Sequence, residues 1–264
     1  MKIILLKLLL KVKYSKIVSS FVMKINDAER NYHLKNNSFV HPIIELTTST
    51  ENKIKLVKKV ASQIYGETWN YYSDALRDEV SKNFEDSIKE LKNQKLTEIK
   101  YLEIGSAQGM SMSLNGLLLN EYFNKIDLTS LDPYFENGYF EGEECISKDL
   151  QHITINKSTK EKAFNLYKSL NLNVELIEKT SFEGLIDIIN KGKKFNYIYI
   201  DGFHENFVPM QDLSLCLQLL EPNGIILLDD HQSWEDVGFL KYICDKNMDK
   251  ISESWKIIAY KSRN

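Results

Sequence analysis

The chain has 264 residues, a formal net charge of −3 and 27% charged residues. This length allows one large α/β domain with an appendage, and the balanced charge gives no reason to expect a nucleic-acid partner. The three cysteines, Cys145, Cys216 and Cys244, are widely spaced and match neither a disulfide framework nor a zinc motif. They predict a reducing, cytoplasmic location.

The N-terminal segment, residues 1–23, mixes apolar residues with lysines. Its longest uninterrupted apolar run is four residues, Ile3–Leu6, which is too short for a spanning helix or for the core of a signal peptide. We interpret the segment as a basic helix docked on the domain or its partner. Attachment to a membrane surface is the less favoured alternative.

Two helices are predicted next. Thr48 and Glu51 have the spacing of a capping box, and the apolar stripe that follows ends at Gly66. A second stripe at helical spacing covers residues 74–93. We therefore divide the chain into residues 1–94, a basic segment with a helical cap, and residues 95–264, the main domain.

Strands and helices alternate from Ile99 onward. Strands are predicted at residues 99–104, 126–132, 174–178, 195–201, 225–230 and 255–260. Ser181 is expected to cap the helix after the third strand, Pro209 to lie in the first turn of another helix, and residues 221–224 (EPNG) to form a turn. The alternation predicts an α/β fold with a doubly wound, mostly parallel, Rossmann-like sheet.

The segment from Ile99 to Ser113 reads as a strand, a glycine turn and a helix. Gly105 allows a sharp turn, Gly109 allows close approach of helix and ligand, and the helix N-terminus suits a polar ligand. The spacing of the two glycines differs from the G-x-G-x-x-G pattern of dinucleotide folds, which disfavours a nicotinamide enzyme.

Acidic residues close most of the predicted strands. Because ligands of such sheets bind beyond the carboxyl ends of the strands, these residues are candidates for one site. Asp132, at the end of the second strand, is suited to accept hydrogen bonds from a ribose diol, and the alternative is that it begins an Asp-Pro turn.

Three carboxylates follow the fourth and fifth strands, namely Asp201, Asp229 and Asp230. Carboxylates at adjoining strand ends repel one another, and a hard cation such as Mg²⁺ would remove that cost. The alternative is that Asp229 and Asp230 cap the next helix while Asp201 is a turn residue. The number of acids favours the metal.

The motif Glu103-x-Gly105-x-x-x-Gly109, with Asp132 after the second strand, resembles the first motif of class I S-adenosylmethionine-dependent methyltransferases. Residues 195–231 (FNYIYIDGFH to LEPNGIILLDDH) are similar to metal-dependent O-methyltransferases of the catechol, macrolide-sugar and aminocoumarin-sugar types. The resemblance implies a methyltransferase domain over residues 95–264.

The resemblance also implies the site residues. The cofactor contacts it implies are Glu103, Gly105, Ser106, Gly109, Ser111, Asp132, Ser181 and Asp201. The metal ligands it implies, usually for Mg²⁺, are Asp201, Asp229 and Asp230. It implies a catalytic role for Asp201 and makes His204 the base that takes the proton of the acceptor hydroxyl, with His231 as the competing candidate. Phe203 departs from the aminocoumarin-sugar pattern, which has an Asp there.

These features predict transfer of a methyl group from S-adenosylmethionine to a hydroxyl of a small molecule, such as a sugar or a phenol. A metal-independent methyltransferase and a non-catalytic binding protein of the same fold are the alternatives. A lid is expected from Trp69–Tyr72 or from residues 134–140, both rich in aromatics. The identity of the acceptor and a homo-oligomeric state are left open.

Overall fold

The computed structural model describes residues 44–66, 75–134, 157–204, 207–231 and 237–263. The predictions for residues 1–23, for Trp69–Tyr72 and for residues 135–140 therefore lie outside the described residues. Within the described ranges, no helix has the length and hydropathy that a transmembrane span requires.

Seven helices and seven strands lie in the described part of the chain. They are α1 (Thr48–Tyr65), α2 (Asp78–Asn93), β1 (Glu98–Ile104), α3 (Met110–Tyr122), β2 (Lys125–Leu131), α4 (Lys157–Ser169), β3 (Val174–Ile177), α5 (Ser181–Asn190), β4 (Phe195–Ile200), α6 (Val208–Leu219), β5 (Leu220–Leu228), α7 (Val237–Asn247), β6 (Met248–Glu253) and β7 (Ile258–Ser262).

These seven strands form one sheet in the order β3-β2-β1-β4-β5-β7-β6. The strands β1 to β5 pair in parallel, and β7 runs antiparallel between β5 and β6. The strand order reverses between β1 and β4, which is the position where sheets of this kind bind ligands. The predicted mostly parallel, Rossmann-like α/β fold is confirmed.

Side chains alternate between the two faces of the central strands, as strand geometry requires. Tyr101, Tyr197 and Leu227 pack in a core cluster with the helices α1 to α4, whereas Leu102 and Ile198 pack in a second cluster with α5 to α7. The helices α1 and α2 thus cover one face of the sheet, within a compact unit that begins at Glu45. The proposed boundary after residue 94 stays a prediction.

Both expected helix caps are displaced by one residue. Thr47, rather than Thr48, caps α1, and Thr180, rather than Ser181, caps α5. In each case the threonine side chain accepts a hydrogen bond from the backbone N–H three residues later, at Thr50 or Glu183. Adjacent hydroxyl residues make these caps ambiguous in sequence, since either hydroxyl can serve.

The strand β6 was not expected from the sequence, and β5 begins at Leu220, five residues before the predicted start. The strand β6 lies at the sheet edge and is largely solvent-facing, so it lacks the apolar run that marks a buried strand. The predicted EPNG turn lies inside β5, where Asn223 has a φ of 60° and the pairing with β4 shifts register. An added Cβ on Gly224 would lie 2.7 Å from the backbone oxygen of Glu221, so the chain does turn at EPNG within the range of β5, and regular pairing with β4 resumes at Ile225.

Gly105 joins the ends of β1 and β4. Its φ is +82°, and an added Cβ would lie 2.0 Å from the backbone oxygen of Asp201. The N–H of Gly105 donates to Leu131 O at 2.9 Å, and the N–H of Asp201 donates to Ile104 O at 2.9 Å. Only glycine fits this position, where three strand ends meet.

We expect Gly105→Ala to reduce the free energy of unfolding by at least about 3 kcal/mol, because strained φ adds to a backbone clash. Gly192→Ala is the matched control, since Gly192 has a φ of +65° but open space around an added Cβ; it should cost about 1 kcal/mol. Urea unfolding measures both values. Equal losses in the two variants would contradict the close approach of β1 and β4.

Candidate functional site

A cavity of about 220 Å³ connects the glycine turn with the carboxyl end of β4. Its walls are formed by Ala75, Gly105, Ser106, Ala107, Gln108, Met110, Ser111, Tyr199, Asp201 and Lys256. Gly105, Ser106, Ser111 and Asp201 were all predicted from sequence as cofactor contacts, and Lys256 was not. The cavity thus borders both the predicted donor site and the predicted acid cluster.

Glu103 lies fully buried at the end of β1, behind the cavity-lining Ser111. Its carboxylate accepts hydrogen bonds from Tyr101 Oη and, at 2.7 Å, from Ser111 Oγ. Burial raises the pKa of Glu103 to about 7, against the opposing effect of these hydrogen bonds. A carboxylate held at this cost is suited to bind a cationic group.

A buried polar network supports Glu103 from inside the fold. Asn115 Nδ2 donates to Tyr101 Oη at 3.2 Å, and Tyr197 Oη donates to Asn115 Oδ1 at 3.0 Å. The rings of Tyr101 and Tyr197 stack with centroids 4.8 Å apart. Sequence reasoning missed this network, although tyrosines at same-face positions of two neighbouring strands were a usable signal.

Asp132 is fully buried after β2 and is tied to two backbone segments. Its Oδ2 accepts from the N–H of Ala107 at 2.9 Å, and its Oδ1 accepts from the N–H of Tyr134 at 3.0 Å. The second bond is the local turn that the alternative interpretation expected. Carboxylate oxygens accept hydrogen bonds from hydroxyl groups, so Asp132 is a candidate acceptor for a ribose.

Among the described residues, Gly109 and Ser181 do not line the cavity. Gly109 has a φ of +80°, and an added Cβ would meet Tyr167 Oη at 2.5 Å, so its packing against α4 requires glycine. Ser181 lies in the first turn of α5, directly after the cap Thr180. The structure therefore gives Gly109 a packing role, and the predicted cofactor contacts of both residues stay predictions.

Three carboxylates meet where β4 and β5 end, as the sequence predicted. Tyr199 Oη donates to Asp229 Oδ1 at 2.7 Å and lies 3.3 Å from Asp201 Oδ2. The side chain of Asp229 is 1% exposed, and Asp230 adopts a left-handed φ of 43°. We call Asp201, Asp229 and Asp230 the acid cluster.

Lys256 inserts its ammonium into the acid cluster from the turn between β6 and β7. Lys256 Nζ lies 2.9 Å from Asp229 Oδ2 and 2.8 Å from Asp230 Oδ1. Burial alone would lower the pKa of Lys256, but the charges of Asp229, Asp201 and Asp230 outweigh burial and raise it above its usual range. Sequence reasoning missed Lys256, because it lies in a turn next to the missed strand β6.

His204 lies between two members of the acid cluster. Its Nε2 is 3.6 Å from Asp201 Oδ1, and its Nδ1 is 3.5 Å from Asp230 Oδ2. Burial lowers the pKa of His204, against the opposing charges of Asp230 and Asp229, which favours the neutral ring that a general base needs. Burial also raises the pKa of Asp201, and the neighbouring Asp229 raises it further.

The ring of His231, the competing candidate for the base, is hydrogen-bonded to the backbone instead. Its side chain is buried, and its Nε2 donates to the carbonyl oxygen of Ser254 at 2.8 Å. The N–H of His231 donates to the carbonyl oxygen of Lys256 at 3.2 Å. This geometry favours His204 as the base.

A possible metal-ligating group differs from the predicted one in a single member. Among the described residues, ligand atoms of Asp201, His204 and Asp229 lie within 4.8 Å of one another. Asp230, the third ligand predicted from sequence, instead contacts Lys256 and His204. The two carboxylates shared by both sets are the oxygen donors that Mg²⁺ prefers.

Residues 102–231 match the model of a protein family described as "Methyltransferase domain". The chain therefore contains a methyltransferase domain. The matched segment contains the glycine turn, Asp132 and the acid cluster, and it ends at His231. The resemblance to methyltransferases stated from the sequence motifs is therefore confirmed, and the protein is a methyltransferase enzyme.

Solved structures of other methyltransferases share the fold of this methyltransferase. The O-methyltransferase NovP has 13% identity and a TM-score of 0.53, covering 81% of this chain and 100% of that one. The calicheamicin methyltransferase CalS11 has 10% identity and a TM-score of 0.53, with coverages of 83% and 94%. TomG, an O-methyltransferase of tomaymycin synthesis from Streptomyces achromogenes in complex with S-adenosylmethionine, has 11% identity, a TM-score of 0.50 and coverages of 86% and 94%.

No curated protein matches the methyltransferase.

We expect Glu103→Gln to increase stability and to weaken binding of S-adenosylmethionine. The pKa of Glu103 is raised from 4.5 to about 7 in the folded chain. The unfolded chain therefore loses this proton first, and burial of Glu103 costs stability that grows as pH rises from 4.5 to 7. The gain in free energy of unfolding of the variant over wild type should therefore be about 1–3 kcal/mol larger at pH 8 than at pH 5.

Urea unfolding at the two pH values tests the stability change, and titration calorimetry should show at least tenfold weaker binding of S-adenosylmethionine. Glu98→Gln, at the half-buried start of the same strand, is the control and should show neither effect. A Glu103→Gln variant that binds S-adenosylmethionine like wild type would contradict the assignment of Glu103 to the donor.

Proposed function

We propose that the methyltransferase transfers the methyl group to a hydroxyl of a small molecule, a sugar or a phenol, with a divalent cation, Mg²⁺, at the acid cluster. The observation that carries this proposal is the cavity, which borders the glycine turn on one side and Asp201 on the other. A base, His204, and the carboxylates lie next to the same strand end.

The residues around the glycine turn fit S-adenosylmethionine. The buried carboxylate of Glu103 suits the ammonium of the amino-acid part, and the carboxylate of Asp132 suits the hydroxyls of the ribose, because carboxylates accept hydrogen bonds. Ser111, in the first turn of α3, lies where a carboxylate is stabilised by the helix N-terminus. When bound, S-adenosylmethionine supplies an electrophilic methyl group on a sulfonium.

His204 is the group that takes the proton of the acceptor hydroxyl. Its ring is 26% exposed, so an acceptor can reach it, and its lowered pKa keeps the ring neutral. The carboxylates of Asp201 and Asp230, on opposite sides of the ring, orient it and stabilise the imidazolium that forms.

The donor set around Asp201 and Asp229 fits a divalent cation. Two carboxylates and an imidazole supply oxygen and nitrogen ligands at compatible separations. When bound, the cation polarises the acceptor hydroxyl as a Lewis acid. Asp201 and Asp229 would hold it, with the third ligand being either His204 or Asp230.

A metal-independent methyltransferase is the second candidate, and one observation favours it. The ammonium of Lys256 already contacts Asp229 and Asp230. Part of the negative charge of these carboxylates is therefore neutralised by the chain itself. In that case Lys256 supplies the positive charge near the acceptor, and His204 remains the base.

Two exposed aromatic residues support a ring-shaped acceptor. Phe203 is 44% exposed and Trp255 is 42% exposed, and they are chain neighbours of His204 and Lys256. Aromatic faces of this kind bind sugar rings and phenols by stacking and apolar contact.

The test of this function is release of S-adenosylhomocysteine with a panel of sugar and phenol acceptors. We expect His204→Gln to lower kcat at least about 100-fold, because the base is lost, while the Kd for S-adenosylmethionine stays within twofold of the wild-type value. His231→Gln should retain more of kcat, since its ring holds the turn at Ser254. The reverse ranking would contradict the assignment of the base.

An arm with EDTA separates the two candidate functions. Under the metal-dependent mechanism, EDTA abolishes transfer and added Mg²⁺ restores it. Transfer that continues unchanged in EDTA rules out the metal and leaves the metal-independent methyltransferase.

A further inference from the structure

The acid cluster contains a cation of its own. Lys256 Nζ contacts Asp229 Oδ2 at 2.9 Å and Asp230 Oδ1 at 2.8 Å, and the lysine side chain is only 10% exposed. Asp229 is almost fully buried. A buried carboxylate is strongly destabilising without a positive partner, and Lys256 provides one.

The turn that carries Lys256 is fixed in place by its neighbours. His231 bonds both ends of a short stretch, through its ring to Ser254 O at 2.8 Å and through its N–H to Lys256 O at 3.2 Å. Within the turn, the N–H of Ser254 donates to Ile257 O at 2.8 Å. Since His231 directly follows Asp230, the acids and their cation are held by one connected unit.

Lys256 also borders the cavity that contains the glycine turn. Its ammonium is therefore placed between the acids and the space in which donor and acceptor would meet. The other charged residue of the cavity wall, among the residues described, is Asp201. Any cation that enters the cluster from this cavity encounters Lys256.

We propose that Lys256 is the resident counter-ion of the acid cluster and competes with divalent cations for Asp229 and Asp230. The inference rests on the proposed function in that it concerns the same cluster. Two cations cannot share the same carboxylate oxygens without strong repulsion, so Lys256 keeps the cation affinity of the wild-type site low. A divalent cation binds fully only when the ammonium withdraws.

Binding of Mn²⁺ alone, without donor or acceptor, tests this inference by titration calorimetry and electron paramagnetic resonance. We expect Lys256→Met to bind Mn²⁺ at least tenfold more tightly than wild type. Lys256→Arg retains the positive charge and should bind like wild type. Lys261→Met removes a lysine that pairs with Glu90 away from the cluster, and it should also bind like wild type.

Loss of Lys256 leaves the charge of buried Asp229 uncompensated and lowers the stability of the variant. Thermal unfolding with and without Mn²⁺ is therefore the second measurement. Mn²⁺ should raise the Tm of Lys256→Met more than that of wild type. The double variant Lys256→Met with Asp229→Asn removes both charges and should lose the tight binding and the rise in Tm.

Equal or weaker Mn²⁺ binding by Lys256→Met, or no binding by any variant, overturns the inference. The outcome is independent of the transfer assay. If wild-type transfer proceeds in EDTA while Lys256→Met binds Mn²⁺ tightly, the metal-dependent function fails and the inference stands. If transfer requires Mg²⁺ but Lys256→Met binds like wild type, the inference fails and the function stands.

Discussion

Carboxylates that follow neighbouring parallel strands meet at one edge of the sheet, and their repulsion has to be balanced by positive charge. The pairing of β4 with β5 places Asp201 beside Asp229 and Asp230, and Coulomb repulsion between such groups is large in a partly dry site. The antiparallel strands β6 and β7 lie next to β5 and carry the turn with Lys256. The turn between β6 and β7 therefore supplies the positive charge that the acids after the central strands require.

The part of the cavity near Glu103 depends on a balance between folding stability and ligand binding. Glu103 is buried and its pKa is raised to about 7, a cost that only a cationic ligand fully offsets. Tyr101, Ser111 and Asn115 hold its carboxylate in place through direct or relayed hydrogen bonds. Stability is lost at Glu103 so that binding can be gained, as is common at functional sites.

The parallel sheet and the positions of the site acids could be predicted because they follow from local rules. Alternation of strands and helices predicts the sheet, and parallel strands bring Glu103, Asp132 and Asp201 to one edge without any knowledge of packing. What sequence could not supply were long-range contacts. Lys256, which contacts Asp229, lies in the turn that follows β6. Because β6 is an edge strand without an apolar run, neither the strand nor its turn was expected.

Local ambiguity accounts for the other differences. Adjacent hydroxyl residues made Ser181 and Thr180 equivalent as caps. At Gly109 the structure adds a packing reason for glycine, the contact with Tyr167 of α4, and the predicted cofactor contact stays a prediction. The sequence places both His204, the predicted base, and His231, its competitor, near the acids. Only the hydrogen bond from His231 to Ser254 O distinguishes a ring that holds backbone from one that faces the acids.

The central claim is that one crevice holds the methyl donor beside the acid cluster. A crystal structure with S-adenosylhomocysteine tests it most directly. We predict that its ammonium contacts Glu103, its ribose hydroxyls contact Asp132 and its sulfur faces the cavity at Asp201. S-adenosylhomocysteine bound elsewhere, or with its sulfur turned away from Asp201 and His204, would contradict the account.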